Sequence, residues 1–447
     1  MLSPATVASA VGAPKSVADF QARIERWYNL YAATPVPIVF DTINGTIRRD
    51  RLTMKLPSRI CEDWAGLMWG ENSYITGSPL VEEVMGDEFA SRLLSHIEGT
   101  MGLGTGGMEV IADFQLNAAG TITGFSNLYI DTCEATNIYP LSWDRGRIRS
   151  AAFVSFEDKK TFSVRIHSHD GERGTIENKR FRSWGNAARE MPLDDGVAPL
   201  ITYQGPPMFV VWFPAVRNAY WPKGPFGVSV LDRPADTFEV LDSAFDNLHA
   251  DIVLGRKMIM MPETMLKKTA TGYLPPQQDR TQLFVSMNDP MADGSQRPVE
   301  FNPDLRVGEN TQAIETALSL IGEMVGMGSD RYRYRDGSLA TATQIISEQS
   351  VTWRNRAKHL RGLVNALTVM GEAVSWLGQT FLRTPAVDVE VVLDDSIVVD
   401  EGTNLAEGRA LHAAGLISTE RFLGEYLHLD GDDLTAEVER LSQTPLF

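Results

Sequence analysis

Gly102-Leu-Gly-Thr-Gly-Gly107 has the G-x-G-x-x-G spacing that can cradle a pyrophosphate. That chemistry needs the glycines to follow a strand and open a helix, so that backbone N–H groups meet the phosphate. The periodicity here predicts the reverse order, a helix at residues 91–98 and a strand at 108–114. The run therefore reads as a helix-to-strand turn, and a nucleotide-binding enzyme using Gly102–Gly107 is kept only as a minor alternative. His167, His169 and Asp170 offer metal-ligand types, but no further carboxylate cluster accompanies them, so they read as the polar end of a hairpin. Asp430-Gly-Asp-Asp433 lacks the Gly and Glu positions of a calcium loop. Neither G-x-S-x-G nor a P-loop is present. No catalytic residue, metal site or cofactor is expected.

Two polar constellations remain. Asp236, Glu239, Asp242, Asp246 and Asp251 punctuate residues 235–254, which contain no Lys or Arg. At 100° per residue Glu239, Asp242 and Asp246 share one narrow stripe, either a solvated face or a lining that repels phosphate. The second constellation is Asp330-Arg-Tyr-Arg-Tyr-Arg-Asp336. Arg331, Arg333 and Arg335 alternating with Tyr332 and Tyr334 suit contact with a nucleic-acid backbone. The same arginines could instead pair with Asp330 and Asp336.

The elements that must position these residues follow from hydrophobic spacing. Val17, Phe20, Ile24 and Tyr28 predict a helix at 16–31 with Ser16 as its cap. Residues 38–52 predict a hairpin turning at Asn44-Gly45. Pro57 opens a short helix to Trp69, and 81–98 read as one helix. From 108 to about 213 the pattern is β-rich, and 210–226 read as an irregular aromatic connection. After Pro234, Phe238, Leu241, Phe245, Leu248 and Ile252 form a heptad-like seam. A Pro-rich region with short strands spans 262–306, and a second helix carries Ile314, Leu318, Ile321 and Val325. The longest helix is expected at 340–377, along a seam through Ile346, Ser350, Trp353, Ala357, Leu360, Val364, Leu367, Gly371 and Val374. A strand at 387–399 and short terminal helices close the chain.

The chain of 447 residues carries a net charge of −17, and 43% of its residues are hydrophobic. That composition suits several folded domains and argues against tight phosphate binding over the whole surface. Residues 384–447 hold fourteen acidic and three basic side chains, most of the excess. Cys61 and Cys133 lack C-x-x-C spacing, which fits a reducing compartment. No signal-peptide pattern and no apolar run of about 20 residues is visible, so no membrane partner is expected.

In order, these elements resemble the portal proteins of tailed bacteriophages, of the siphophage type. The carriers are Lys55-Leu-Pro-Ser-Arg-Ile-Cys-Glu-Asp-Trp-Ala65, the Gly102–Gly107 turn, Ala135-Thr-Asn-Ile-Tyr-Pro140 and Pro225-Phe-Gly-Val-Ser229. Leu241-Asp242, Gly337-Ser-Leu-Ala-Thr-Ala-Thr-Gln-Ile-Ile346, Ser396-Ile-Val-Val-Asp400 and His412-Ala-Ala-Gly-Leu-Ile-Ser418 complete the set. The resemblance implies an α+β portal-type fold. Its parts would be a β-rich wing over 1–234, paired stem helices at 235–261 and 307–327, and a small clip at 262–306. A tunnel loop at 328–339, a long wing helix and closing strand at 340–399, and a short helical crown at 400–447 would follow. It further implies a homo-oligomeric ring, a dodecamer, at the unique capsid vertex of the virion, assembled in the host cytoplasm. Double-stranded DNA would pass through it transiently during packaging and ejection. Terminase, head-completion or adaptor proteins, capsid and scaffolding proteins would be its partners, and the ring itself would not be an enzyme. Another head structural component, a minor capsid or adaptor protein, is the alternative of the same class.

Overall fold

The structure, a computed structural model, describes residues 3–42, 45–185, 187–254, 258–262, 267–269, 272–274, 283–287, 299–301, 304–333, 342–394, 409, 412, 417–427 and 440. The chain is mixed α+β with small, mostly antiparallel sheets. It divides into two compact units: Met1–Trp69 with Tyr74–Val392, and Gly70–Ser73 with Leu393–Phe447.

The first unit opens with α1 (Pro4–Val11), an element the periodicity did not predict, capped by the Ser3 hydroxyl accepting from Thr6 N at 3.3 Å. α2 (Lys15–Tyr31) starts after Pro14 rather than Ser16, because the Pro14 carbonyl already accepts from Val17 N. Val17, Phe20 and Ile24 of its predicted apolar face are buried, while Trp27 takes the inner position expected of Tyr28, which is only partly buried. The expected hairpin forms from β1 (Pro37–Thr42) and β2 (Gly45–Asp50), but it pairs Thr42 with Gly45 and Pro37 with Asp50, so Gly45 belongs to the second strand and not to the turn. α3 (Leu56–Met68) begins with Pro57 in its first turn. After β3 (Tyr74–Thr76), the single helix expected at 81–98 is two, α4 (Pro79–Val84) and α5 (Asp87–Leu103). They break at Gly86, where a Cβ would stand 2.8 Å from the Glu82 carbonyl.

The β-rich region forms two sheets. β4 (Gly106–Leu116) pairs with β5 (Ile122–Glu134) and, on its other edge, with β12 (Phe209–Trp212). β6 (Ile138–Asp144), β7 (Arg147–Phe156), β8 (Thr161–His169) and β9 (Arg173–Trp184) form an antiparallel meander. β10 (Ala187–Met191) and β11 (Leu200–Gln204) share the outer edge of the long β9. Alternation places Phe162, Val164 and Ile166 inward, where they pack with Phe20, Ile24 and Trp27 of α2. Phe20 stacks on Phe226 at 4.9 Å, so the irregular aromatic connection ahead of residue 234 also belongs to this core.

α6 (Ala235–Leu254) and α7 (Val307–Val325) are the two later helices. Between them lie β13 (Met258–Pro262), β14 (Lys267–Thr269), β15 (Gly272–Leu274), β16 (Leu283–Met287) and β17 (Val299–Phe301). β13 pairs in parallel with β16 and antiparallel with β17, while β14 and β15 form their own hairpin. α8 (Ala342–Leu377) is the longest helix and ends in a wide turn, Gly378–Leu382. Leu360, Leu367 and Val374 of its predicted seam are buried, but Ala357 is exposed and Arg356, His359, Leu363 and Met370 take the inner face. A 3.5-residue seam drifts off a straight 3.6-residue helix over this length. The strand expected at 387–399 is confined, among the described residues, to β18 (Glu390–Val392), paired with β3.

In the second unit the Ser73 hydroxyl accepts from Gly70 N and Asp394 N, and Asp394 in turn accepts from Asn72. α9 (Thr419–Leu427) stacks Phe422 between Tyr426 and His412.

Candidate functional site

α6 and α7 run antiparallel. Thr237 at the start of α6 hydrogen-bonds the Met324 sulfur at the end of α7. Asp251 near the other end accepts from Arg306 at 3.0 Å and Asn310 at 2.8 Å. The hairpin holds together because Phe238, Leu241 and Ala244 are buried against Ile314, Leu318 and Ile321. Each of the larger side chains contributes about 1.5–3 kcal/mol by leaving water, and Ala244 less. The predicted α6 seam fades toward its end, where Ile252 is 53% exposed.

The outer face of the hairpin carries an uncovered apolar strip among polar residues. Val240 is 57% exposed and Leu320 48%, and they share a shallow groove with Thr237, Ala313 and Ala317 and with Glu309, Gln312 and Thr316. Met324 lies on the same stretch at 38% exposure.

The acidic stripe does not face open space as expected for a channel lining. It is turned toward residues 49–54 of the same chain. Asp246 is buried and accepts two bonds from Arg49 at 2.6 Å and one from Leu52 N at 3.2 Å. The Arg49 hydrogen bond holds the Asp246 carboxyl below the usual carboxylate range. Asp242 accepts from Met54 N at 3.0 Å. Only Glu239 stays largely in water, with a loose 3.5 Å contact to Arg51. Helical spacing identified the common face but not its cover; the basic run Arg48-Arg49 and Arg51, at the end of the hairpin's second strand, was the available signal.

The loop after α7 is also tied down. Gly326 adopts φ +82°, the left-handed cap that lets the helix end sharply, and its carbonyl accepts from Asn355 of α8. The Met327 carbonyl accepts from the Thr352 hydroxyl. Tyr332 donates its hydroxyl to Asp63 of α3 at 3.0 Å, and burial beside that carboxylate pushes the phenol well above its ordinary value. Asp63 also pairs with Arg331 at 3.5 Å and with Arg59 at 3.2 Å. Arg333 pairs with Asp330 at 3.3 Å, the internal pairing that the sequence left open. Tyr332 is thus an anchor, whereas the Arg331 and Arg333 side chains remain 50% and 46% exposed. Tyr334 and Arg335 lie outside the described residues. Asp63 was not singled out from sequence, since a lone carboxylate on an amphipathic helix carries no distinguishing mark.

The glycine run has a packing role. It is buried throughout, with Gly102 inside the last turn of α5 and Gly104 capping it at φ +78°. A Cβ on Gly102 would stand 2.9 Å from the Tyr31 ring, and one on Gly104 would meet the Val228 and Ser229 backbone at 2.5 Å. A helix C-terminus presents carbonyls, the wrong polarity for phosphate.

His167 is not a hairpin end; it is fully buried. Its Nε2 lies 2.8 Å from Glu109 of β4, which also accepts from Arg165 at 2.9 and 2.7 Å. Burial alone would raise the Glu109 carboxyl, but the bonds from His167 and Arg165 together outweigh it and hold it low. This cluster ties the three-stranded sheet to the meander. Among the described residues no group of His, Cys, Asp and Glu could hold a metal ion. No helix among them is long and apolar enough to cross a membrane. Comparison with protein-family models and with curated proteins found no match.

Proposed function

We propose that this chain is the subunit of a portal-type ring at the unique vertex of a tailed-phage capsid, through which double-stranded DNA is packaged and ejected. The observation that carries the reading is the α6–α7 hairpin: two antiparallel helices with a buried inner seam, Val240, Leu320 and Met324 uncovered outside, and a small β insertion joining one end. A single subunit has no use for that apolar strip, whereas neighbours in a closed ring would cover it. The other end leads into the loop with Arg331 and Arg333, whose half-exposed guanidinium groups would give weak, solvent-screened contacts to passing phosphates. Glu239 would be the remaining acidic group free to face a channel, with Asp242 and Asp246 serving to seat the hairpin on residues 49–54. The β insertion at 262–306 would be the docking point for the terminase and later the head-completion proteins. The motive force would come from that partner.

Two substitutions test the strip. Leu320→Asp and Val240→Asp should leave a folded chain, since both side chains are already about half in water, yet abolish large assemblies in native mass spectrometry. Assemblies that survive both changes would refute the role given to this face.

A further inference from the structure

A second charged surface lies away from the hairpin. Between Val351 and Met370, α8 contains no Asp or Glu, although the chain as a whole has a net charge of −17. Lys358 and Arg361 project from its exposed side, and Asn365 follows one helical turn beyond Arg361, about 6 Å along the same face. Asn365 opens onto a cleft of about 650 Å³ whose opposite wall is β7, with Arg147 and Arg149. Those two arginines are two residues apart on a strand, so they stand on one side of it, roughly 6.7 Å from each other. No Asp or Glu lines the cleft.

The placement is fixed by packing. Gly362 lets α8 close on the chain at Phe213, where a Cβ would stand 2.9 Å from the carbonyl oxygen. Leu363, Ala366 and Leu367 are buried behind it, which leaves Asn365 at the rim and the exposed Arg361 one helical turn outside it. His169, also on the rim, is held by Gly205 O and Gly171 N. Asp170, in the turn beyond, spends its carboxylate on Glu172 N and Arg173 N. Among the described residues Arg147, Arg149 and Arg361 have no ion pair, and Lys358 bonds only the neutral Asn355 side chain at 2.9 Å.

We propose that Arg147, Arg149, Lys358 and Arg361 form a binding surface for the phosphate backbone of duplex nucleic acid. Three of the four cations are guanidinium groups, which suit bidentate phosphate contact. They are spread over two elements around an open cleft, as a backbone-tracking surface requires. None of the large exposed apolar side chains lines the cleft, so it lacks the anchor that the centre of a protein interface needs. No exposed aromatic ring lines it either, so contact is with phosphates and independent of base sequence. The surface does not require the ring reading and would act in any assembly state.

The test is fluorescence anisotropy of the full chain with a short labelled DNA duplex of mixed sequence, titrated with salt. R147A/R149A and K358A/R361A should each weaken binding roughly tenfold at low salt, and each should flatten the log K against log salt slope by about two. A charge-retaining R147K/R149K/R361K variant should keep the slope. K159A/K160A, which removes two exposed lysines between β7 and β8 instead, should leave this binding nearly unchanged. Unaltered affinity and slope when all four residues are Ala would overturn the proposal. So would polyglutamate displacing the duplex at equal charge concentration, since the surface would then fit an acidic protein. Native mass spectrometry on the same samples reads the assembly state, so failure of the ring reading and failure of this one are separable.

Discussion

Replacing Arg165 by Met strands a buried charge and should do so with a distinctive pH signature. Glu109 is 2% exposed and accepts three hydrogen bonds, two from Arg165 and one from His167. Removing one partner of a buried pair costs about 3–5 kcal/mol. Arg165 is 33% exposed at its side chain, so water can enter the vacated space, and His167 keeps one bond. The lower end, about 3 kcal/mol at pH 7, is the expected loss, a factor of roughly a hundred in the folding equilibrium. In the parent the folded Glu109 carboxyl is held below its unfolded value. Its contribution is therefore present above the unfolded pKa and lost as pH falls through the folded one. In Arg165→Met, burial dominates and the folded carboxyl rises above the unfolded value. The sign then reverses: its contribution is present below the unfolded pKa and is lost as pH rises through the folded one. The deficit against the parent should shrink between pH 7 and pH 5. Urea unfolding followed by tryptophan fluorescence at the two pH values reads it. A deficit under about 1 kcal/mol at pH 7, or one equal at both pH values, would show that packing rather than charge joins the sheets here.

Two buried histidines set the acid limit. His96 accepts from Trp212 Nε1 at 3.0 Å and His359 from Ala215 N at 3.0 Å, and burial pushes both down to about 4. Each contribution is full above the unfolded value near 6.5 and is lost as pH falls toward 4, on the order of 3 kcal/mol apiece; His96→Gln and His359→Gln should flatten that slope in unfolding curves, and an unchanged slope would contradict it. Tyr332→Phe should cost about 1–2 kcal/mol through the lost bond to Asp63, with DNA retention unchanged in a nuclease-protection assay. Changing Arg331, Arg333 and Arg335 together to Ala should spare assembly but lower the DNA retained after packaging, more at low salt than at high; equal retention would make the loop purely structural.

Local signals carried much of the architecture. The α7 seam is buried at each predicted position, because a 19-residue helix with one clean apolar face has one way to pack. The existence of the β1–β2 hairpin, though not its register, and the helix-then-strand order around the glycines were likewise local. What failed was long-range. Asp246 looked like a free carboxylate because its partner, Arg49, lies 197 residues away. His167 looked like a turn residue because Glu109 is 58 residues upstream on another sheet. Arg147 and Arg149 are unremarkable in sequence and meet Asn365 of α8 across one cleft only when that helix packs on β12.

The central claim, that this chain closes into a ring around a channel, is tested most directly by electron micrographs of the purified full-length protein. Closed rings of twelve subunits with a central opening are the expected result. Those rings should be lost in Leu320→Asp while the variant stays folded. Particles of one or two subunits at micromolar concentration, with and without scaffolding protein, would contradict it.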